Sequence, residues 1–128
     1  MRKAIFMLYL AVVSGSAWAE WVEVGVSDTQ TVYADPATIR KKGSMAKMWT
    51  LYDNKRPEVH ENKPYMSLLV QEEYDCDDEQ TRPLSMTFSP ENMAKDRPIS
   101  SGSVRGQWTP IAPRTMGEAL WKFACGKL

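Results

Sequence analysis

Histidine and cysteine are scarce in this chain: His60 stands alone, and Cys76 and Cys125 are the only thiols among 128 residues. A single imidazole leaves serine nucleophiles without a base other than His60, and no H-E-x-x-H pair can form. The two cysteines lack C-x-x-C spacing, which argues against a redox or zinc motif. Neither a G-x-S-x-G elbow nor a phosphate-binding glycine loop is present. These gaps leave no catalytic constellation, so we read the protein as a non-enzyme with no metal and no cofactor. Charge of one sign is lacking too: 16 basic side chains balance 16 acidic ones. No nucleic-acid partner is expected.

Long hydrophobic runs are likewise missing, except at the start. Met1-Arg2-Lys3 is followed by an apolar stretch from Ala4 to Val13 and then Ala17-Trp18-Ala19. That order is a secretory leader with its cut between Ala19 and Glu20. The stretch is shorter than the roughly 20 residues a membrane helix needs. No cysteine lies near the cut to carry a lipoprotein anchor. Cleavage leaves 109 residues with 14 basic and 16 acidic side chains. This length suits one domain, residues 20–128, with a modest core and no transmembrane segment after cleavage.

What is present is a strand pattern closed by a helix. Tyr65 to Cys76 reads as one long strand, with Met66, Leu68, Val70, Tyr74 and Cys76 on one face. The chain offers one intramolecular disulfide, Cys76 to Cys125, and export supplies the oxidising space for it. Before this strand, Trp21–Val26 and Thr31–Ala34 alternate as a hairpin. Asp35-Pro36 starts a helical turn ahead of the basic corner Arg40-Lys41-Lys42-Gly43. Ser44 to Tyr52 is the next strand, although neither of its faces is cleanly polar. Asp53 to Pro64, charged and without periodicity, reads as an exposed loop. Thr81 to Ser89 returns as a strand, with Pro83 marking an edge or irregular position. Pro90 to Gly106 reads as a mobile segment carrying a short strand near Ile99 to Val104. The last helix starts at the T-x-x-E box of Thr115 and Glu118, packs Met116, Leu120 and Phe123, and ends at Gly126. The fold class is therefore α+β: a single antiparallel sheet of about five to six strands, with a C-terminal α-helix on one face tethered by a disulfide.

Candidate functional residues fall mainly in the Asp53–Pro64 segment, where Lys55, Arg56, His60 and Lys63 form a candidate interaction loop. Lys41 and Lys42 could converge with Lys55, Arg56 and Lys63 into a basic patch, against the plainer reading of a solvated surface. His60 is read as solvated rather than as a haem ligand. Asp75, Asp77, Asp78 and Glu79 are read as a solvated turn rather than a calcium loop. Trp49, Trp108 and Trp121 are read as packing residues, with a ligand cleft between helix and sheet as the alternative.

Several stretches are similar to the surface-adhesin protein E family: Trp21–Val24, Val32–Ile39, Lys47–Tyr52, Tyr74–Cys76 and Leu120–Cys125. The resemblance implies the same sheet, helix and disulfide. It also implies export to the periplasm or outer surface of a Gram-negative bacterium, and adhesion to host extracellular-matrix glycoproteins. The reading is thus an exported envelope or surface protein that binds other proteins, with a periplasmic small-ligand or haem binder as the alternative. An open sheet edge gives a homodimer as a further expectation.

Overall fold

Alternation along the chain, broken by short turns, builds a meander in which each strand pairs with the next long one. The computed structural model describes residues 20–127, so the predicted leader and the Ala19 side of its cut lie outside the described residues, while Glu20 is exposed. The strands are β1 (Val22–Val26), β2 (Gln30–Ala34), β3 (Arg40–Lys42), β4 (Met45–His60), β5 (Lys63–Asp75), β6 (Gln80–Ser89), β7 (Ser100–Ser103) and β8 (Thr109–Pro110), ahead of helix α1 (Met116–Cys125). The sheet runs β1-β2-β4-β5-β6-β7, with β3 added beside β4 and β8 beside β6. All pairings are antiparallel.

Local chemistry sets the turns. The Asp35 carboxylate accepts from the Ala37 N–H at 3.1 Å and caps a single 3-10 turn, Pro36–Thr38, as the Asp-Pro pair predicts. The basic corner is itself a short strand, β3, whose return into β4 needs the left-handed φ of +61° at Gly43. Between β5 and β6, burial alone would raise the Asp75 pKa. The N–H groups of Asp77 and Asp78 and the Gln80 amide outweigh that by donating to its carboxylate, and they hold it below the usual range. Asp75 is thus occupied in shaping its own turn.

Strand register decides which face of β4 is covered, a question that its composition leaves open. Ala46, Met48 and Thr50 are buried on the side where α1 lies, in register with Tyr74, Glu72 and Val70 of β5. Val32 and Ala34 of β2 join them, and Leu120, Trp121, Ala124 and Cys125 close the cluster from the helix. Burying Leu120 alone contributes about 1.5–3 kcal/mol. Gly25, in a bulge of β1, lacks the Cβ that would collide with Met116, so the first turn of α1 can rest on the edge strand. The helix is capped as its sequence suggests. Thr115 Oγ1 accepts from the Glu118 N–H at 3.3 Å, while Glu118 reaches back to the Arg114 N–H at 3.0 Å. Gly126 ends it at φ +69°.

Two adjacent bonds pin the helix to the end of β5. The Trp121 indole N–H donates to the Asp75 carbonyl at 2.8 Å, and the next residue, Cys76, is bonded to Cys125 with a Cα–Cα distance of 5.7 Å. Lys41 adds its ammonium to the Cys125 carbonyl at 3.3 Å, a cation at a helix C-terminus.

Two expectations need correction. Asp53 to Pro64 is not a loop. It forms the end of β4 and the start of β5, joined by the two-residue turn Glu61-Asn62 with φ of +51° and +65°. Both turn residues are left-handed, the signature of a hairpin turn whose twist matches its strands. Pro90 to Gly106 is tied down rather than loose. Ser67 Oγ donates to the Glu91 carbonyl and accepts from Ala94 N–H, while Asp53 accepts from Asn92 and from Met93 N–H.

Beneath the helix side of the sheet, the Tyr52 hydroxyl donates to Glu72 at 3.4 Å, and Thr81 donates to the same carboxylate at 2.7 Å. Burial, then the Glu72 charge, pushes the Tyr52 and Tyr74 pKa values well above the ordinary phenol value. The tether and these phenols can each be tested. Cys76→Ser should lower unfolding stability by about 2–5 kcal/mol in denaturant titrations, with α1 amides exchanging fastest; an unchanged midpoint would remove the tether from the account. The raised tyrosines favour the neutral phenol in the fold. Their contribution is complete below about pH 10, the unfolded value, and is lost as pH rises toward the folded values. Melting temperature should therefore fall steeply above about pH 10, with Tyr52 and Tyr74 ionising only as near-UV circular dichroism disappears.

Candidate functional site

The predicted interaction segment becomes a projecting hairpin because β4 changes register. Asp53 pairs with Ser67 and Glu58 with Tyr65, so residues 54–57 of β4 stand opposite Met66 alone. Asn54 and Lys55 stay with β2 instead, Asn54 opposite Gln30 and the Lys55 N–H donating to the Thr29 carbonyl at 2.9 Å. Beyond this bulge, residues 58–65 pair only with each other. A bulge of this size turns the strand and re-aims the residues past it.

Lys55 and Arg56 are exposed in the bulge, and Lys63 is exposed at the tip opposite His60. His60 is half-buried: its ring stacks on Phe88 with centroids 3.9 Å apart, and Tyr65 meets the same ring edge-on at 5.0 Å. The histidine therefore docks the hairpin onto the end of β6. Val59, paired with Pro64, is 67% exposed, the most exposed of the large apolar side chains of the described residues. The arm thus presents one exposed apolar side chain, Val59, just below a polar tip, with Glu58 and Glu61 close in sequence.

The five basic residues do not converge into one patch, and all five are exposed, as the plainer reading has it. Lys41 and Lys42 alternate on β3, so Lys41 turns to the helix while Lys42 faces the other side of the sheet, away from the hairpin. The three tryptophans do not share a cleft either. Trp121 is buried on the sheet-facing side of α1, Trp49 neighbours the helix-facing Met48 and so points to the opposite face, and the Trp108 ring centre lies 4.5 Å from the Arg82 guanidinium. Among the described residues, no three His, Cys, Asp or Glu side chains converge at metal-binding spacing.

A second feature, not singled out from the sequence, lies on the face away from the helix. Arg40, Lys47, Glu73 and Arg82 stand directly opposite one another on β3, β4, β5 and β6, forming one charged row across the sheet. Arg82 closes on Glu73 through Nε at 2.9 Å and Nη2 at 2.8 Å. The row borders a hollow of about 310 Å³, to which Lys42 and Arg105 add charge and Met45 and Leu84 add apolar lining. Arg105 is set there by its neighbours: Val104 N–H donates to the Leu84 carbonyl at 2.8 Å, and Gly106 N–H to the Pro83 carbonyl at 3.0 Å. Gly106 lies so close to the Pro83 ring that an added Cβ would approach it to 2.7 Å. The proline thus marks an irregular point in β6, as its sequence position suggests, where β5 Gln71 and Glu72 face Ser85 and Pro83.

With this architecture in view, comparison with family models gives a match to Surface-adhesin protein E over residues 21–126. The chain belongs to the surface-adhesin protein E family. Among solved structures it is similar to Haemophilus influenzae protein E in crystal form II, at 10% identity and a TM-score of 0.62, over 86% of this chain and 97% of that one. It is also similar to protein E from non-typeable Haemophilus influenzae, at 12% identity and a TM-score of 0.54, over 74% of this chain and 67% of that one. At these identities the structural likeness establishes the fold. Comparison with curated proteins returned no match. Both cysteines predicted from the sequence are joined, Cys76 to Cys125.

Proposed function

We propose that this chain is an exported protein of a Gram-negative cell envelope, displayed at the outer surface, that acts by binding other proteins rather than by catalysis. Membership of a surface-adhesin family supports the class of activity. The hairpin past Asp53 carries the reading: its backbone leaves the sheet's register and pairs only with itself, and Lys55, Arg56, Val59 and Lys63 along it are each exposed. An apolar centre edged by charge is the composition of a protein-contact surface. Host extracellular-matrix glycoproteins are the proposed partner class. Residues 1–19 act as the leader, cut between Ala19 and Glu20. No helix of the described residues is long and apolar enough to cross a membrane. A second copy would dock at the β1 edge, where Val22 and Val26 are 40% and 58% exposed.

The test combines display and binding. Protein isolated from the envelope should begin at Glu20, and protease added to intact cells should remove it. Immobilised matrix glycoproteins should bind it saturably, with Lys55→Ala/Arg56→Ala/Val59→Ser weakening binding about tenfold or more. Protection from protease until the outer membrane is permeabilised, or unaltered binding by the triple variant, would refute the reading.

A further inference from the structure

The hollow on the face away from the helix holds a charge arrangement that folding alone does not explain. Arg40 and Lys47 stand directly opposite each other on neighbouring strands, where like charges oppose stability. Five cations border the hollow against one carboxylate, Glu73, which is already closed on Arg82. Among the described residues, no carboxylate lies within ion-pair distance of Arg40, Lys42, Lys47 or Arg105. Apart from its leader the chain is slightly acidic, so this clustering is local. A repulsive pairing kept at a concave site is the mark of a surface shaped for a ligand.

We infer that this hollow binds a sulfated saccharide. Several observations narrow the ligand to that class. The cations come from β3, β4, β6 and the segment after β7: Arg40, Lys47 and Arg82 lie in the row, and Lys42 and Arg105 border the hollow beside it. Arg40 and Arg105 offer planar guanidinium groups, which grip tetrahedral oxyanions through paired N–H donors. Arg40 is fixed beside the hollow by its own Nη1, which donates to the Ala37 and Ile39 carbonyls at 2.9 and 3.0 Å. Met45 and Leu84 give a sugar ring an apolar surface for its C–H face. An acidic peptide is the competing occupant of an arginine cluster, and the poly-glutamate comparison below separates it from the saccharide. The volume, at the small end of ligand hollows, suits a sugar unit or two with their anionic groups.

The inference deepens the adhesin reading by assigning a glycan contact to a surface separate from the hairpin, and the variants keep the two apart. The probe is a heparin-derived hexasaccharide, titrated calorimetrically into the protein lacking its leader at two salt concentrations, with its desulfated counterpart and poly-glutamate as comparisons. Lys47→Gln and Arg105→Gln should each weaken binding about tenfold and together flatten the salt dependence. Both sites are exposed, so each variant should melt within about 3 °C of the parent. Lys55→Ala/Arg56→Ala/Val59→Ser should leave hexasaccharide binding unaltered even where it abolishes glycoprotein binding. Binding that survives Lys47→Gln/Arg105→Gln, that ignores sulfation, or that is tighter for poly-glutamate would overturn the assignment. A phosphorylated sugar binding in place of the sulfated one would overturn the choice of sulfate.

Discussion

Everything about this protein's division of labour depends on how the last helix is held at one end of one strand. Asp75 and Cys76 are consecutive, and each binds α1, the first by accepting the Trp121 indole proton and the second by a covalent bond to Cys125. The hydrogen bond orients the helix and the disulfide prevents its departure. Since the helix is only ten residues long, it would be marginal in isolation. Its stability comes from the sheet, and the sheet's covered face comes from it.

A helix fixed in that way shields one surface, while the opposite surface is covered around Asp53 and Ser67, where the Glu91–Ala94 segment is bonded and Leu51 is fully buried, and is open at the charged row. The helix side carries the small and apolar residues of β2 and β4, and the opposite side carries the charged row from Arg40 to Arg82. Alternation therefore serves two purposes in the same strand. Within β4, Ala46 and Met48 belong to the interior while Lys47 between them is exposed on the opposite face. The Glu72 and Glu73 pair divides similarly: Glu72 is engaged by Tyr52 and Thr81, and Glu73 by Arg82.

The elements governed by neighbouring residues were legible in the sequence. The Asp35-Pro36 turn, the Thr115 cap, the Gly126 stop and the single disulfide all rest on short-range chemistry, and the structure places them as read. The hairpin was hidden because its turn uses Glu61 and Asn62 rather than a glycine pair, and because Pro57 and Pro64 interrupt its alternation. Packing of His60 on Phe88 depends on a contact between distant strands that no local pattern announces. The basic hollow was illegible for a related reason. Arg40 and Arg105 are far apart in the chain, and only strand register brings them to one place. Lys42 and Lys47 were visible as isolated charges, but not as borders of one hollow.

The bulge at residues 54–57 has a further meaning for how such a protein can change over time. By absorbing four residues against one, it uncouples the outer hairpin from the pairing that governs the rest of the sheet. Residues past it can be lengthened, shortened or replaced without shifting the alternation of β4 and β5 below, where a slip of one position would turn the interior outward. The arm is in effect a separate head on the sheet, tied back to it through the packing of His60 and Tyr65 on Phe88.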